Sequence, residues 1–243
     1  MPVVTAASAM ESGSAPIKTL IYGPSGAGKT FLSASAPDPI FLLTERQAIP
    51  SIAASNPDAK VVYIETADEL RKCVTEAMRK GTIEGATFTT IVLDSLSEAQ
   101  RMLRDEIESN PKRKEGSEGL TRQEWGILAD KTRALVRALR NLPFNVVCTA
   151  LMEDKTDDQD VRRIAPLFQG QKTGHEIPQW FTIIGALTRS VTKDEDGGKL
   201  VARRLILDSS ANVLSKVTEP LEGVIISPDL TDIFNRIHSH RKG

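Results

Sequence analysis

With 243 residues, 40% of them apolar and 26% charged, the chain can bury one substantial core and has the make-up of an ordinary globular α/β protein. A formal charge of −1 excludes a global pull on nucleic acid, so any such contact must come from local basic clusters. Cys73 and Cys148 are far apart and form no C-x-x-C pair, and no apolar run reaches membrane-spanning length; disulfide frameworks, thiol metal sites and spanning helices are thereby set aside.

Residues 1–16 (MPVVTAASAMESGSAP) lack the basic start and apolar centre of a signal peptide and read as a disordered tail, so a cytoplasmic location is expected. From residue 17 onward, strand-length apolar runs alternate with helical patterns, which predicts a mostly parallel sheet flanked by helices. A first strand over 17–22 leads through a Gly-rich loop into a helix reaching about Ala36, and Pro37 and Pro39 separate that helix from a second strand over 40–43. A third strand over 61–64 precedes a helix opened by a capping box, Thr66 with Glu69. Leu70, Val74, Ala77 and Met78 are predicted to line one face of that helix, and Gly81 to stop it.

The fourth strand, over 88–93, is followed by a second box, Ser95 with Glu98, and by Leu96, Ala99, Leu103 and Ile107 at helical spacing. A third box, Thr121 with Glu124, opens a long helix carrying Trp125, Leu128, Leu135 and Leu139, after which Pro143 introduces a fifth strand over 145–151. Two segments read as mobile loops, 109–119 and 153–175, and long loops inside a compact core are commonly functional. Residues 179–192 and 199–207 flank the turn 194–198 as a β-hairpin. Ser227-Pro228 then caps a final helix holding Leu230, Ile233, Phe234 and Ile237. The organisation is a tail, one core over 17–226, and a helix with a basic end over 227–243.

The chemistry begins at Gly23-Pro24-Ser25-Gly26-Ala27-Gly28-Lys29-Thr30, a full match to G-x-x-x-x-G-K-[ST] between a predicted strand and a predicted helix. Its glycines let backbone N–H groups turn inward on phosphate oxygens. Lys29 neutralises the β- and γ-phosphates, and the Thr30 hydroxyl suits Mg²⁺, so ATP and Mg²⁺ are the expected ligands. Asp94, closing an apolar strand, is placed to hold Mg²⁺ through water. Hydrolysis also needs a carboxylate on water. The position after Asp94 is Ser95, which leaves Glu45 and Glu65 at strand ends; Glu98 has a capping role and Glu65 precedes a cap, so Glu45 is preferred.

The chain resembles the RecA-type ATPases, and within them the phage RecA-like single-strand annealing proteins. The resemblance spans about 17–226 and rests on the phosphate loop, Thr44-Glu45, Ile91-Val92-Leu93-Asp94-Ser95 and Val146-Val147-Cys148-Thr149-Ala150-Leu151. It continues through Pro166-Leu167-Phe168-Gln169-Gly170-Gln171-Lys172 and Ile177-Pro178-Gln179-Trp180-Phe181. It implies a RecA-like fold, Glu45 as the water-activating residue, and two loops facing single-stranded DNA inside a homo-oligomeric ring or filament. Lys112, Arg113 and Lys114 in the first loop, and Arg162, Arg163 and Lys172 in the second, are then the phosphate contacts. A single-strand binding protein is a further implied partner.

Two departures from that family stand out. Where relatives carry a polar γ-phosphate sensor at the end of the fifth strand, this chain has Ala150 and Leu151, which leaves Thr149 as the sensor candidate. Where relatives carry Lys-x-Arg reaching into a neighbour's ATP, this chain has Lys216 without the arginine; Lys216 is the candidate trans-acting cation. The leading expectation is a DNA-handling ATPase. A nucleotide-dependent assembly or loading factor and a small-molecule kinase, which would need an arginine-rich lid, are the alternatives.

Overall fold

A computed structural model describes residues 15–111, 113, 119–156, 160, 162–193, 199–208, 210, 212–217, 221 and 223–242. β1 (Lys18–Gly23) is buried at every position, as a strand covered on both faces must be. Lys18 opens it by donating its ammonium protons to the carbonyls of Leu142 (2.7 Å) and Phe144 (2.5 Å); burial pushes its pKa down to about 8.

The chain continues through α1 (Lys29–Ala34), β2 (Pro39–Leu43), α2 (Ile49–Ser55), β3 (Lys60–Tyr63), α3 (Ala67–Lys80), β4 (Thr90–Asp94), α4 (Leu96–Glu108), α5 (Arg122–Arg140) and β5 (Asn145–Thr156). Then come β6 (Arg162–Pro166), α6 (Gln171–Glu176), β7 (Ile183–Lys193), β8 (Lys199–Ile206), β9 (Lys216–Val217), β10 (Val224–Ile226) and α7 (Leu230–Lys242). Among the described residues ten strands form one sheet in the order β10-β8-β7-β1-β5-β4-β2-β3, with β6 added to β5 and β9 to β7. The strands from β7 to β3 along this order are parallel, and β6, β8, β9 and β10 join antiparallel. The expected α/β class, a mostly parallel sheet with a late hairpin, is what the chain adopts.

Side-chain alternation splits the core in two. Leu20, Tyr22, Ile91, Leu93 and Cys148 pack with Leu70 of α3, Leu103 of α4 and Leu128 of α5. Ile21, Phe41, Val92, Val147 and Leu187 pack on the other face with Leu32 of α1, Ile52 of α2 and Phe234 of α7. Both cysteines are free and buried, and burial raises their thiols to about 11 (Cys73) and 12 (Cys148), which keeps them unreactive. No helix among the described residues is long and apolar enough to cross a membrane.

Several expectations need correction. Met78 is 45% exposed, and Cys73 takes the buried place beside Val74 on α3. Ser95 does cap α4, accepting from the Glu98 N–H at 3.2 Å, but the Glu98 carboxylate turns to Arg101 (2.8 Å). The start of α7 lies beyond Ser227-Pro228, because the Asp229 carboxylate and the Ser35 hydroxyl accept its first N–H groups. Residues 153–175 are not one long loop: β5 runs on to Thr156 and pairs with β6, and α6 follows. That arm lacks an alternating apolar pattern because most of it is solvated, so periodicity could not reveal it. The first fourteen residues and the turn 194–198 lie outside the described residues.

Candidate active site

The strand order decides which residues meet. β5 lies between β1 and β4, and the parallel registers Ile21↔Thr149 and Leu93↔Cys148 bring Thr149 level with Asp94. Asp94, 8% exposed, is then gripped from both sides. The Thr30 hydroxyl donates to its Oδ2 at 2.7 Å, and the Thr149 hydroxyl donates to its Oδ1. Thr44 locks the backbone as well, donating to the Asp94 carbonyl (2.9 Å) while accepting from the Ser95 N–H (3.0 Å). The carboxylate is therefore held in one orientation before any ligand arrives.

The loop 23–30 wraps over the end of β1. At Gly28 the backbone has φ 94°, which an L side chain rarely adopts, and at Gly23 a Cβ would stand 2.3 Å from the Leu187 carbonyl oxygen. The Lys29 ammonium rests on the carbonyls of Gly23 and Pro24, both at 2.9 Å. Burial lowers its pKa, an effect that the charges of Asp94 and Glu45 partly offset. Ser25, Gly26, Gly28, Lys29 and Thr30 line the cleft, whereas Gly23, Pro24 and Ala27 shape the loop behind it.

The cleft measures about 620 Å³, within the range of small-molecule sites, and its wall also includes Glu45, Asp94, Arg189 and Arg203. Thr30 and Asp94 offer adjacent hard oxygens of the kind Mg²⁺ takes. Lys29 and the Gly-rich backbone offer what a triphosphate takes, so the residues present fit both groups.

Of the two strand-end glutamates, Glu45 faces the cleft, accepting from Gln47 Nε2 at 2.6 Å. Glu65 lies one strand further out, 68% exposed and paired with Arg46 at 3.0 Å. Lys216 is placed away from the cleft: β9 meets β7 at Ile183–Ile184, before the strand reaches the phosphate loop, and the Lys216 ammonium donates to the Gln179 carbonyl at 3.0 Å. Arg113 is spent on Glu124 at the start of α5 (2.9 Å). Arg162 is paired with Asp154 across the β5–β6 arm (2.7 Å), and Arg163 stands opposite Lys155 on the same arm. Lys112, Lys114 and the side chain of Lys172 lie outside the described residues.

Sequence reasoning missed Phe31, Arg189 and Arg203, which all line the cleft. The available signal was the hairpin itself: Arg189 and Arg203 fall directly opposite each other, one same-face step beyond the core pair Leu187↔Leu205. Thr149 also proves to be a positioning residue, since its hydroxyl reaches Asp94. Thr149→Val is expected to weaken Mg²⁺ dependence by roughly 10- to 100-fold, the usual effect of losing a partner of a metal-site carboxylate. A Mg²⁺ titration of nucleotide binding measures this, and an unaltered midpoint would remove the assigned role.

Residues 15–218 match a family model described as an AAA domain (AAA_24). Among solved structures, the chain is similar to a prototypical ATPase from the type III secretion system of pathogenic bacteria, at 18% identity and a TM-score of 0.43. That match covers 71% of this chain and 52% of the secretion ATPase, so the chain spans about half the length of that protein. It is also similar to the flagellar accessory protein FlaH from Methanocaldococcus jannaschii, at 10% identity and a TM-score of 0.38, covering 89% of this chain and 90% of the other. No curated protein matches the sequence.

Proposed function

Since the chain belongs to the AAA domain family, we propose that it is a RecA-like, magnesium-dependent ATPase acting on single-stranded DNA in annealing, recombination or replication. One observation carries the reading: the Thr149 hydroxyl bonds Asp94, and the same strand runs on unbroken into the β5–β6 arm. In this reading β5 is the physical link between Asp94 at the nucleotide and the segment that carries Arg162 and Arg163.

In the reaction, Lys29 neutralises charge on the β- and γ-phosphates, and the loop backbone holds them in line. Thr30 and Asp94 would hold Mg²⁺, which would supply further charge neutralisation to the triphosphate. Glu45 orients a water molecule and takes its proton as the water oxygen bonds to the γ-phosphorus. The bond to the β–γ bridging oxygen breaks, and ADP leaves with that oxygen. Positioning and electrostatics do most of the catalysis.

The DNA half of the reading rests on the family resemblance and on the arm's place at the end of β5. The same resemblance supports a homo-oligomeric ring or filament with single-stranded DNA in its central groove, and a single-strand binding protein as partner. ATP turnover measured against protein concentration, with and without a single-stranded oligonucleotide, tests it. Turnover is expected to need Mg²⁺, to rise more steeply than linearly with protein, and to be stimulated several-fold by the oligonucleotide. DNA affinity should fall steeply with salt. Turnover indifferent to DNA, with no binding at low ionic strength, would overturn the DNA half and leave the ATPase standing.

A further inference from the structure

Beyond the end of β1, the β7–β8 hairpin stands beside the phosphate loop. Its last core pair is Leu187↔Leu205, and the next pair on that face is Arg189↔Arg203. Like charges directly opposite each other disfavour a hairpin unless something else neutralises them. Neither arginine has an ion pair among the described residues, yet both line the cleft. Arg101, in the same cleft, is by contrast neutralised by Glu98 at 2.8 Å.

Arg203 is held close to the loop. Its guanidinium carbon lies 4.1 Å from the centre of the Phe31 ring. A Cβ on Gly28 would be 2.3 Å from its Nε, so the missing side chain there makes room for the arginine as well as for the turn. That Nε is a buried donor with no protein hydrogen-bond partner among the described residues, so its N–H is left to donate to a phosphate oxygen.

The strand order fixes which part of a nucleotide this donor can meet. Glu45 follows β2, four strand positions from β7 along β7-β1-β5-β4-β2, or roughly 19 Å at the usual strand spacing. Water attack requires the γ-phosphate at the Glu45 and Asp94 end, so the hairpin end receives the rest of the molecule. We propose that Arg203, with Arg189 beside it, clamps the α- and β-phosphates of the bound nucleotide from within the same chain. The contact is common to ATP and ADP, and it rests on the assignment of the cleft as a nucleotide site.

The test is the affinity of Arg203→Ala, Arg203→Lys and Arg189→Ala for fluorescent ATP and ADP analogues, read by anisotropy with Mg²⁺ present. Arg203→Ala is expected to weaken both nucleotides by roughly 10- to 100-fold and by similar factors, the range that loss of a charged hydrogen bond gives. Arg203→Lys should recover part of the loss, and Arg189→Ala should show a smaller one. Arg203→Ala gives up the contact with the Phe31 ring but no hydrogen bond of its Nε, so the thermal unfolding midpoint without nucleotide should fall only slightly; it serves as the folding control. Unchanged affinity in Arg203→Ala beside normal binding by the unaltered protein would overturn this inference alone. A loss confined to ATP would overturn it too, by moving the contact to the γ-phosphate. Absence of binding in the unaltered protein would remove the nucleotide site as well.

Discussion

Glu45→Gln is expected to cut ATP turnover by roughly 10²- to 10⁴-fold while Mg²⁺-ATP affinity stays within a factor of about three. The substitution keeps the shape of the side chain and removes only its ability to accept a proton from water. Among the described residues, the Glu45 carboxylate accepts from Gln47, which an amide oxygen can also do, and gives mild support to the charge of Lys29. Single-turnover hydrolysis beside equilibrium binding separates the two quantities. Retained turnover would transfer the role to another carboxylate, and the structure offers poor substitutes. Glu65 is committed to Arg46 outside the cleft wall; Glu98 lines the cleft but is paired with Arg101. Retained biological function with hydrolysis lost would instead favour a protein that uses ATP to assemble.

Lys29→Ala is expected to weaken nucleotide binding by roughly 100-fold, the loss of a charge-assisted contact to phosphate. Thermal unfolding reads this well. At a ligand concentration a hundred times Kd, binding stabilises a folded protein by about 2.7 kcal/mol; if the variant binds about a hundred times more weakly, the gain drops to about 0.4 kcal/mol. The ligand-free variant should unfold close to the unaltered protein, for a physical reason. Burial disfavours the charged ammonium, as its lowered pKa records, so removing it relieves a desolvation cost while giving up two hydrogen bonds to loop carbonyls. The sign follows directly: a lysine whose pKa falls on folding holds its proton more weakly in the folded chain, so its charge opposes folding below that pKa. Under the proposed function, that cost is offset by the charge of the phosphates the ammonium would meet. A variant that kept the full ligand-induced stabilisation would show that the loop does not grip a triphosphate.

The basic residues assigned from resemblance differ from these two in kind. Arg113 and Arg162 are engaged by Glu124 and Asp154 in the ligand-free chain, and a phosphate would have to displace those partners. Exposed pairs such as Arg162–Asp154 contribute little to stability, so exchange with a polyanion is inexpensive. Arg113 and Glu124 are mostly shielded, which makes Arg113 the harder of the two to release.

What the sequence determined by itself was everything carried by neighbours in the chain. The capping boxes at Thr66 and Thr121 closed as expected because both partners lie three residues apart, and the loop 23–30 brought Lys29 and Thr30 to the end of β1 for the same reason. Strand-length apolar runs likewise identified the buried strands. Only the tertiary structure decided that β5 runs between β1 and β4, which sets the sensor candidate Thr149 against Asp94. Only the register of an antiparallel hairpin decided that Arg189 and Arg203 enter the cleft, while Lys216 stays at the far end of β7. Such placements depend on hydrogen bonds between separate strands, some of them, as for β1 with β5 and β7, more than a hundred residues apart, and no local pattern of side chains encodes which strand lies beside which.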